Sequence, residues 1–333
     1  MIISLLAVIA LGILAWMGSM MGFQYVLAVC LPYTAVIVFL VGFAWRIIDW
    51  AKRPVPFSIP TTGGQQKSLP WIKPATLDNP SNSKGVWGRM ILEVLMFRSL
   101  FRNTNVSIEG DRVVYWSSKF LWLFALIFHY SFLIIFVRHF RFFAEPVPFF
   151  VNAIEMFDGI LQIGAPRLYM TGPLILVALA YLIGRRLFNQ KVRYISLLSD
   201  YFPLFLIFGL CATGVAMRYF LKVDIATVKV FVMSLLHFAP DTAALAKIGS
   251  IFYVHMFFLT VLLMYFPFSK LMHAGGVFLS PTRNMANDTR MKLHVNPWNP
   301  EKVYRTYEEY ENEFRVPMFE AGLPVVKKPE DKE

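Results

Sequence analysis

Four of the six histidines in this 333-residue chain fall in or beside apolar stretches. His129 and His139 lie within "FALIFHYSFLIIFVRHF" (124–140), and His255 and His273 lie in and just past another such stretch, 249–271. An imidazole in an apolar environment is costly unless its nitrogens are bound. At about 100° per residue, a spacing of eighteen closes five helical turns, so His255 and His273 are expected to share one face. A spacing of ten misses closure by about 80°, which puts His129 and His139 on adjoining sides of one flank. Two imidazoles facing each other from separate helices can fill both axial positions of a haem iron, leaving no open site for oxygen or substrate. The chemistry is then electron transfer without bond-making at the metal.

The elements that would carry these residues are membrane spans. Hydrophobic residues make up 57% of the chain and charged residues 16%, with mean hydropathy +0.54, outside the soluble globular range. Six apolar blocks of spanning length stand out: 2–21, 25–48, 119–143, 168–188, 200–221 and 249–271. Only "MMGFQ" separates the first two, so they read as a hairpin whose boundary is soft, one span or two. The first block lacks a basic n-region and is read as a retained anchor.

Lys and Arg set the orientation. Segment 49–118 carries Lys52, Arg53, Lys67, Lys73, Lys84, Arg89, Arg98, Arg102 and Arg112. The connection after the fourth span carries Arg185, Arg186, Lys191 and Arg193, and the tail is also basic. Residues 142–166 have no Lys or Arg but include Glu145, Glu155 and Asp158. Segment 222–248 is mixed, with Lys222, Lys229 and Lys247 against Asp224 and Asp241. Both termini and 49–118 are therefore expected in the cytoplasm of an inner-membrane protein. The net charge of +11 reflects topology and attraction to anionic lipid rather than nucleic-acid binding.

The third and sixth spans then run antiparallel. Depth matching pairs His139 with His255 near the outer side and His129 with His273 near the inner side. At about 1.5 Å per residue the axial separations are unequal, about 15 Å and about 27 Å, so tilt has to absorb the difference. Their mean puts the two metals about 20 Å apart. Each ligand needs its second ring N–H satisfied by a backbone carbonyl or a hydroxyl; Tyr130 and Ser131 are close in sequence. Arg138, Arg141, Arg218 and Tyr219 near the outer edge, and Arg185, Arg186, Lys191 and Arg193 inside, can meet haem propionates or simply snorkel. Gly209, Ala212, Gly214 and Ala216 on the fifth span suit either a closely approaching macrocycle or ordinary helix packing.

Other chemistry is not evident. Cys30 and Cys211 both fall inside spans, and neither a C-x-x-C-H motif nor a cysteine set for an iron–sulfur cluster is present. No nucleotide loop, carboxylate pair or Ser/His/Asp arrangement stands out, and no catalytic residue is assigned. His237, beside "FAPD", reads as a solvent or quinone-pocket residue, and His294 as structural. Residues 53–86 read as an irregular wrap, 106–116 as a small hairpin around Gly110–Asp111, and 274–333 as a tail with turns ("NPWNP") and an acidic stretch ("YEEYENEF").

The histidine spacing on the first and last of four consecutive spans, 119–273, resembles the respiratory nitrate reductase gamma subunits and the cytochrome b subunits of heterodisulfide reductase-like complexes. The tail "GGVFLSPTRNMANDTRMKLHVNPWNP", the N-terminal hairpin and the 49–118 insertion resemble the DsrM-type branch, from the sulfite-reduction-associated DsrMKJOP complexes. The resemblance implies an all-α integral membrane protein organised as a hairpin (1–48), a cytoplasmic insertion (49–118), a four-helix dihaem core (119–273) and a cytoplasmic tail (274–333). It implies two non-covalent haem b groups, paired His139–His255 and His129–His273; Arg138 and Arg218 are expected among the cofactor-binding residues from their place near the outer edge.

It further implies menaquinol or menaquinone exchange near the outer haem and an iron–sulfur, heterodisulfide reductase-like (DsrK-type) partner inside. Periplasmic cytochrome c, ferredoxin-like and second membrane subunits would complete the complex. The chain would be a non-catalytic or quinol-oxidising subunit, and the final acceptor a sulfur-carrying protein. The family's quinol-site lysine has no counterpart in the loop after the third span; Arg167, Asp158 and Glu145 are the available substitutes. The competing reading is a non-redox transporter or complex scaffold that uses the histidines for proton transfer or helix packing.

Overall fold

The computed structural model describes residues 1–55, 63–161, 166–291, 298, 301 and 303–329. Six helical segments are long and apolar enough to cross a membrane, and the chain is an all-α multi-pass membrane protein apart from one small hairpin. The first is α1 (Ile2–Met20). A π-helical turn at Val26–Cys30 runs directly into α2 (Leu31–Ala51), so the N-terminal region makes two spans. Pro32 explains the π turn: it has no N–H to give and its ring crowds the preceding turn, which shifts the bonding to Leu31 N–H on Val26 O.

Within 49–118, the described part of the wrap expected over 53–86 is irregular up to Asn82, and regular structure begins after it. Helix α3 (Ser83–Met96) begins where the Asn82 side chain caps Gly85 N–H, and it ends at Phe97 in left-handed geometry, beside the short α4 (Arg98–Phe101). Asp78 pairs with Arg98 and Arg102. Burial acts to raise its carboxyl, but the two arginines prevail and hold it below the usual carboxylate range. The hairpin is β1 (Thr104–Glu109) and β2 (Arg112–Ser117), antiparallel, with Gly110 at φ 61° in the turn.

The core spans follow. They are α5 (Lys119–His139), α7 (Thr171–Phe188), α9 (Leu198–Val215, continued by a π turn at Ala216–Phe220) and α12 (Ser250–Tyr265). Between them lie α6 (Phe149–Asp158), α8 (Gln190–Ile195), α10 (Ile225–Leu236) and α11 (Thr242–Ala246). Helix α5 packs along α7, α7 along α9, and α9 along α12, whereas α5 and α12 are not closely packed against each other. Both N-terminal spans lie against α12, and α1 also touches α9, so the hairpin's helices flank the core.

The sixth span differs from the continuous helix expected over 249–271. Regular α-helix stops at Tyr265, followed by a 3-10 turn at Phe266–Phe268. Ser269 is fully extended, at φ −121° and ψ 175°, before a second 3-10 turn (Lys270–Met272) and the four-residue α13 (His273–Gly276). Pro267 is the physical cause, because its ring and missing N–H stop the helical ladder. His255 and His273 therefore do not ride on one rigid helix, and counting turns between them does not apply.

Thr289–Glu333 form a second compact unit, apart from Met1–Asp288. Its helix α14 (Tyr307–Glu320) has a capping box of Thr306 and Glu309. The Glu311 carboxylate accepts from Lys327 and Val326 N–H, which holds its pKa down.

Gly42 on α2 lies where a Cβ would stand 2.8 Å from Pro267 Cβ and 3.0 Å from its Cγ. That ring is not a flexible side-chain end. Gly42→Val should destabilise the protein by about 1–3 kcal/mol through overpacking, read as a lower thermal midpoint in detergent.

Candidate functional site

The four histidines meet in two pairs. The His139 and His255 rings lie 6.5 Å apart, centroid to centroid, and nearly parallel at 9°. The His129 and His273 rings lie 6.1 Å apart and nearly perpendicular at 86°. Metal–imidazole bonds of about 2.0–2.1 Å on opposite sides of one metal would put ring centroids about 6–6.5 Å apart. The break after Tyr265 lets His273 reach His129 despite the unequal spacings along the two chains.

One nitrogen of each ring is already engaged. His129 Nδ1 lies 2.7 Å from Ala125 O, His139 Nδ1 2.6 Å from Ile135 O, and His273 Nδ1 2.9 Å from Lys270 O. A carbonyl only accepts, so in these three the proton is on Nδ1. His255 Nδ1 lies 3.0 Å from Thr213 Oγ1. That hydroxyl gives its own proton to the Gly209 or Leu210 carbonyl, each 2.9 Å away, and so accepts from His255. In all four rings Nδ1 is the engaged nitrogen, which leaves Nε2 as the one available to a ligand, as in metal-bound histidines whose other ring N–H is hydrogen-bonded. The sequence neighbours Tyr130 and Ser131 do not provide these contacts. Tyr130 OH donates to Leu95 O, and Ser131 is buried on α5.

The small residues of α9 serve helix packing, and through it the site. A Cβ at Gly214 would stand 3.3 Å from His255 Cε1, and one at Gly209 3.0 Å from Phe258. Bare backbone there lets α12 come close enough for Thr213 to hold His255.

The cations near His139 form a built cluster. Arg138 Nη1 donates to Asp158 Oδ2 at 2.7 Å, and the two side chains are 13% and 1% exposed. Asp158 also accepts from Thr171 N–H at 2.9 Å and Thr171 Oγ1 at 2.6 Å. Arg141 donates to both oxygens of Glu155, at 2.7 and 2.8 Å. Arg138 and Arg218 stack on Tyr169, with Cζ 3.2 and 4.2 Å from the ring centroid. Tyr219 OH accepts from Tyr169 N–H at 2.8 Å, and Arg218 reaches the Arg167 carbonyl at 3.3 Å. The Nε groups of Arg138 and Arg218 are buried and have no hydrogen-bond partner among the described residues. Two unpartnered guanidinium N–H groups, one of them on the residue next to His139, fit an anionic group such as a carboxylate.

The remaining expectations fall as follows. Asp158 is fully engaged as an anchor, and Glu145 pairs with Lys229. Arg167 lies against Gly159, where a Cβ would stand 2.2 Å from its Cδ. At the other end, Arg186 donates to Ser196 Oγ and Lys191 to Val106 O. His237 is exposed at the C-terminal cap of α10, and His294 lies outside the described residues. Among the described residues no cluster of three or more His, Cys, Asp or Glu gathers. Helix α6 was not anticipated. Its Glu155 and Asp158 are spaced as Arg141 and Arg138 are on the preceding segment, and that matching was the available signal.

With this geometry in place, comparisons with known proteins give the family. The nitrate reductase gamma subunit family model matches residues 91–288. The chain is 47% identical over 283 residues to the "Hdr-like menaquinol oxidoreductase cytochrome b-like subunit" of Archaeoglobus fulgidus, covering 84% of this chain and 85% of that protein. The subunit of the same name from Archaeoglobus profundus is 45% identical over 276 residues, covering 81% and 82%. The chain belongs to the nitrate reductase gamma subunit family of cytochrome b-like membrane proteins. That family implies haem b, and the engaged Nδ1 atoms, the ring separations and the unpartnered arginine N–H groups fit such a group.

Replacing Asp158 by Ala would strand Arg138 as a buried, unpaired charge. A stability loss of about 3–5 kcal/mol is expected, with Asp158→Asn losing less because it can still meet Thr171; thermal unfolding in detergent measures both.

Proposed function

We propose that this chain is the dihaem b electron-transfer subunit of a membrane-bound menaquinol oxidoreductase complex. His139 and His255 would hold one haem b, and His129 and His273 the other. The observation that carries the reading is that all four imidazoles have Nδ1 occupied while their rings face each other in pairs 6.1–6.5 Å apart. When bound at these pairs, haem would supply one-electron relay chemistry. The protein's own groups fix ring orientation through the Ala125, Ile135 and Lys270 carbonyls and Thr213, and Arg138 and Arg218, gathered on Tyr169, would meet the haem carboxylates.

The distribution of Lys and Arg supports placing both termini and 49–118 in the cytoplasm, with the His139–His255 pair toward the outside of the inner membrane. Quinol exchange would occur on that side. Oxidising quinol outside and passing electrons inward would separate charge worth about 2.3 kcal/mol per charge per 100 mV. The names of the relatives support menaquinol as reductant and a place in an Hdr-like complex, in which an iron–sulfur subunit would be the inner partner. The tail and insertion support the DsrM-type branch, with the companion subunits and the sulfur-linked acceptor of that branch.

Two substitution series test this. Replacing His139 or His255 by Ala should abolish one haem and leave the other, and replacing His129 or His273 should do the reverse. Loss of the same haem from His129 and His139 variants would refute the pairing. Thr213→Val removes the acceptor for His255 Nδ1–H and should weaken haem retention at that pair by about 10–100-fold, measured as haem release to apomyoglobin.

A further inference from the structure

The two haem pairs are not built alike. His255 sits within a regular helix and is held by a side chain of the neighbouring span. His273 begins a four-residue helix beyond an extended residue and two 3-10 turns. A continuous helical ladder does not fix its orientation, so something else must.

Two contacts grip this strap. From one side α2 meets it: Ile47 Cδ1 would stand 2.7 Å from a Cβ at Gly275, and Trp50 Cζ3 3.1 Å from one at Gly276. From the other side, Lys270 Nζ donates to Asp200 Oδ1 at 2.7 Å. Asp200 is itself anchored, since its Oδ2 accepts from Leu197 N–H at 2.9 Å in the first turn of α9. The carbonyl of the same Lys270 receives His273 Nδ1–H. A single residue is thus tied to α9 by its side chain and to the imidazole by its backbone.

We propose that the Asp200–Lys270 ion pair is a positioning element for His273, and that it sets the axial geometry at the His129–His273 haem. The inference rests on the dihaem reading. The Lys270 side chain is 64% exposed and that of Asp200 9%, so solvent screening at the lysine limits what the pair adds to global stability. A positioning role therefore predicts an effect on one haem that stability alone does not.

The test uses the full-length haem-loaded protein in detergent, with electron paramagnetic resonance (EPR) and redox titration of both haems. In the unaltered protein, the perpendicular His129–His273 pair should give a more anisotropic low-spin ferric signal than the parallel His139–His255 pair. Lys270→Met removes a positive charge and Asp200→Asn a negative one. A field effect alone would move the potential of the nearby haem in opposite directions in the two variants.

If the pair positions His273, both variants change the His129–His273 EPR signal in the same sense. Both also release that haem about 10-fold faster, the His139–His255 signal does not move, and Lys270→Arg restores the original spectrum. Opposite potential shifts with unchanged EPR signals, or no change at all, would overturn the proposal. Unaltered protein without two haem signals would overturn the dihaem reading as well, and that outcome is seen before any substitution is made.

Discussion

An imidazole within a membrane span has two nitrogens to satisfy, and the packing of this protein meets that need in one consistent way. On each of four histidines Nδ1–H is consumed locally, three times by a backbone carbonyl three or four residues back and once by a threonine of a neighbouring helix. Nε2 is then the nitrogen left for a ligand between the facing rings. A cross-helix hydrogen bond between histidines would use these nitrogens against each other, and a proton relay would not need rings set in two matched pairs. The cost of an imidazole among apolar side chains is balanced when both nitrogens are engaged, and the facing pairs provide for that.

The rest of the architecture follows from keeping α5 and α12 apart yet in register. Helices α7 and α9 bridge them, each packed on its neighbours, so the two histidine-bearing spans are linked through intermediaries rather than directly. Gly214 lets the His255 ring lie against α9. Pro267 ends α12 early and turns the chain so that the fourth histidine can reach across. Without that break, two spacings as different as ten and eighteen residues would demand tilted guests or tilted helices. The N-terminal spans lie against α12, with Gly42 on Pro267 and Ile47 and Trp50 on Gly275 and Gly276, so they brace the turn. On the other side α6 folds two carboxylates back onto Arg138 and Arg141.

Much of this was legible in the sequence because hydrophobic length and charge distribution are strong signals. The block read as 25–48 corresponds to Val26–Ala51, and the hairpin expected over 106–116 lies within the strands Thr104–Glu109 and Arg112–Ser117. The histidine pairs that depth matching selected are the ones the fold brings together. The helical-face argument for His255 and His273 failed because it assumed a continuous helix through "FPFS", where proline stops one. The partners of the ring nitrogens were not legible, because three of them are backbone carbonyls, which any residue supplies. Thr213 was hidden among the small residues of α9, forty-two positions from its histidine. Helices α3 and α14 were missed because their amphipathic patterns sit among polar segments that read as linker and tail.

The proposed occupancy is two haem groups, held by these four imidazoles between α5 and the segment running from α12 into α13. It is tested most directly by a pyridine haemochrome assay on the purified, monodisperse polypeptide, with protein quantified by amino-acid analysis. The account predicts haem b at two per chain, extracted by acidic acetone because it is not covalently attached. A colourless chain, or one that holds a single haem at saturation, would contradict it.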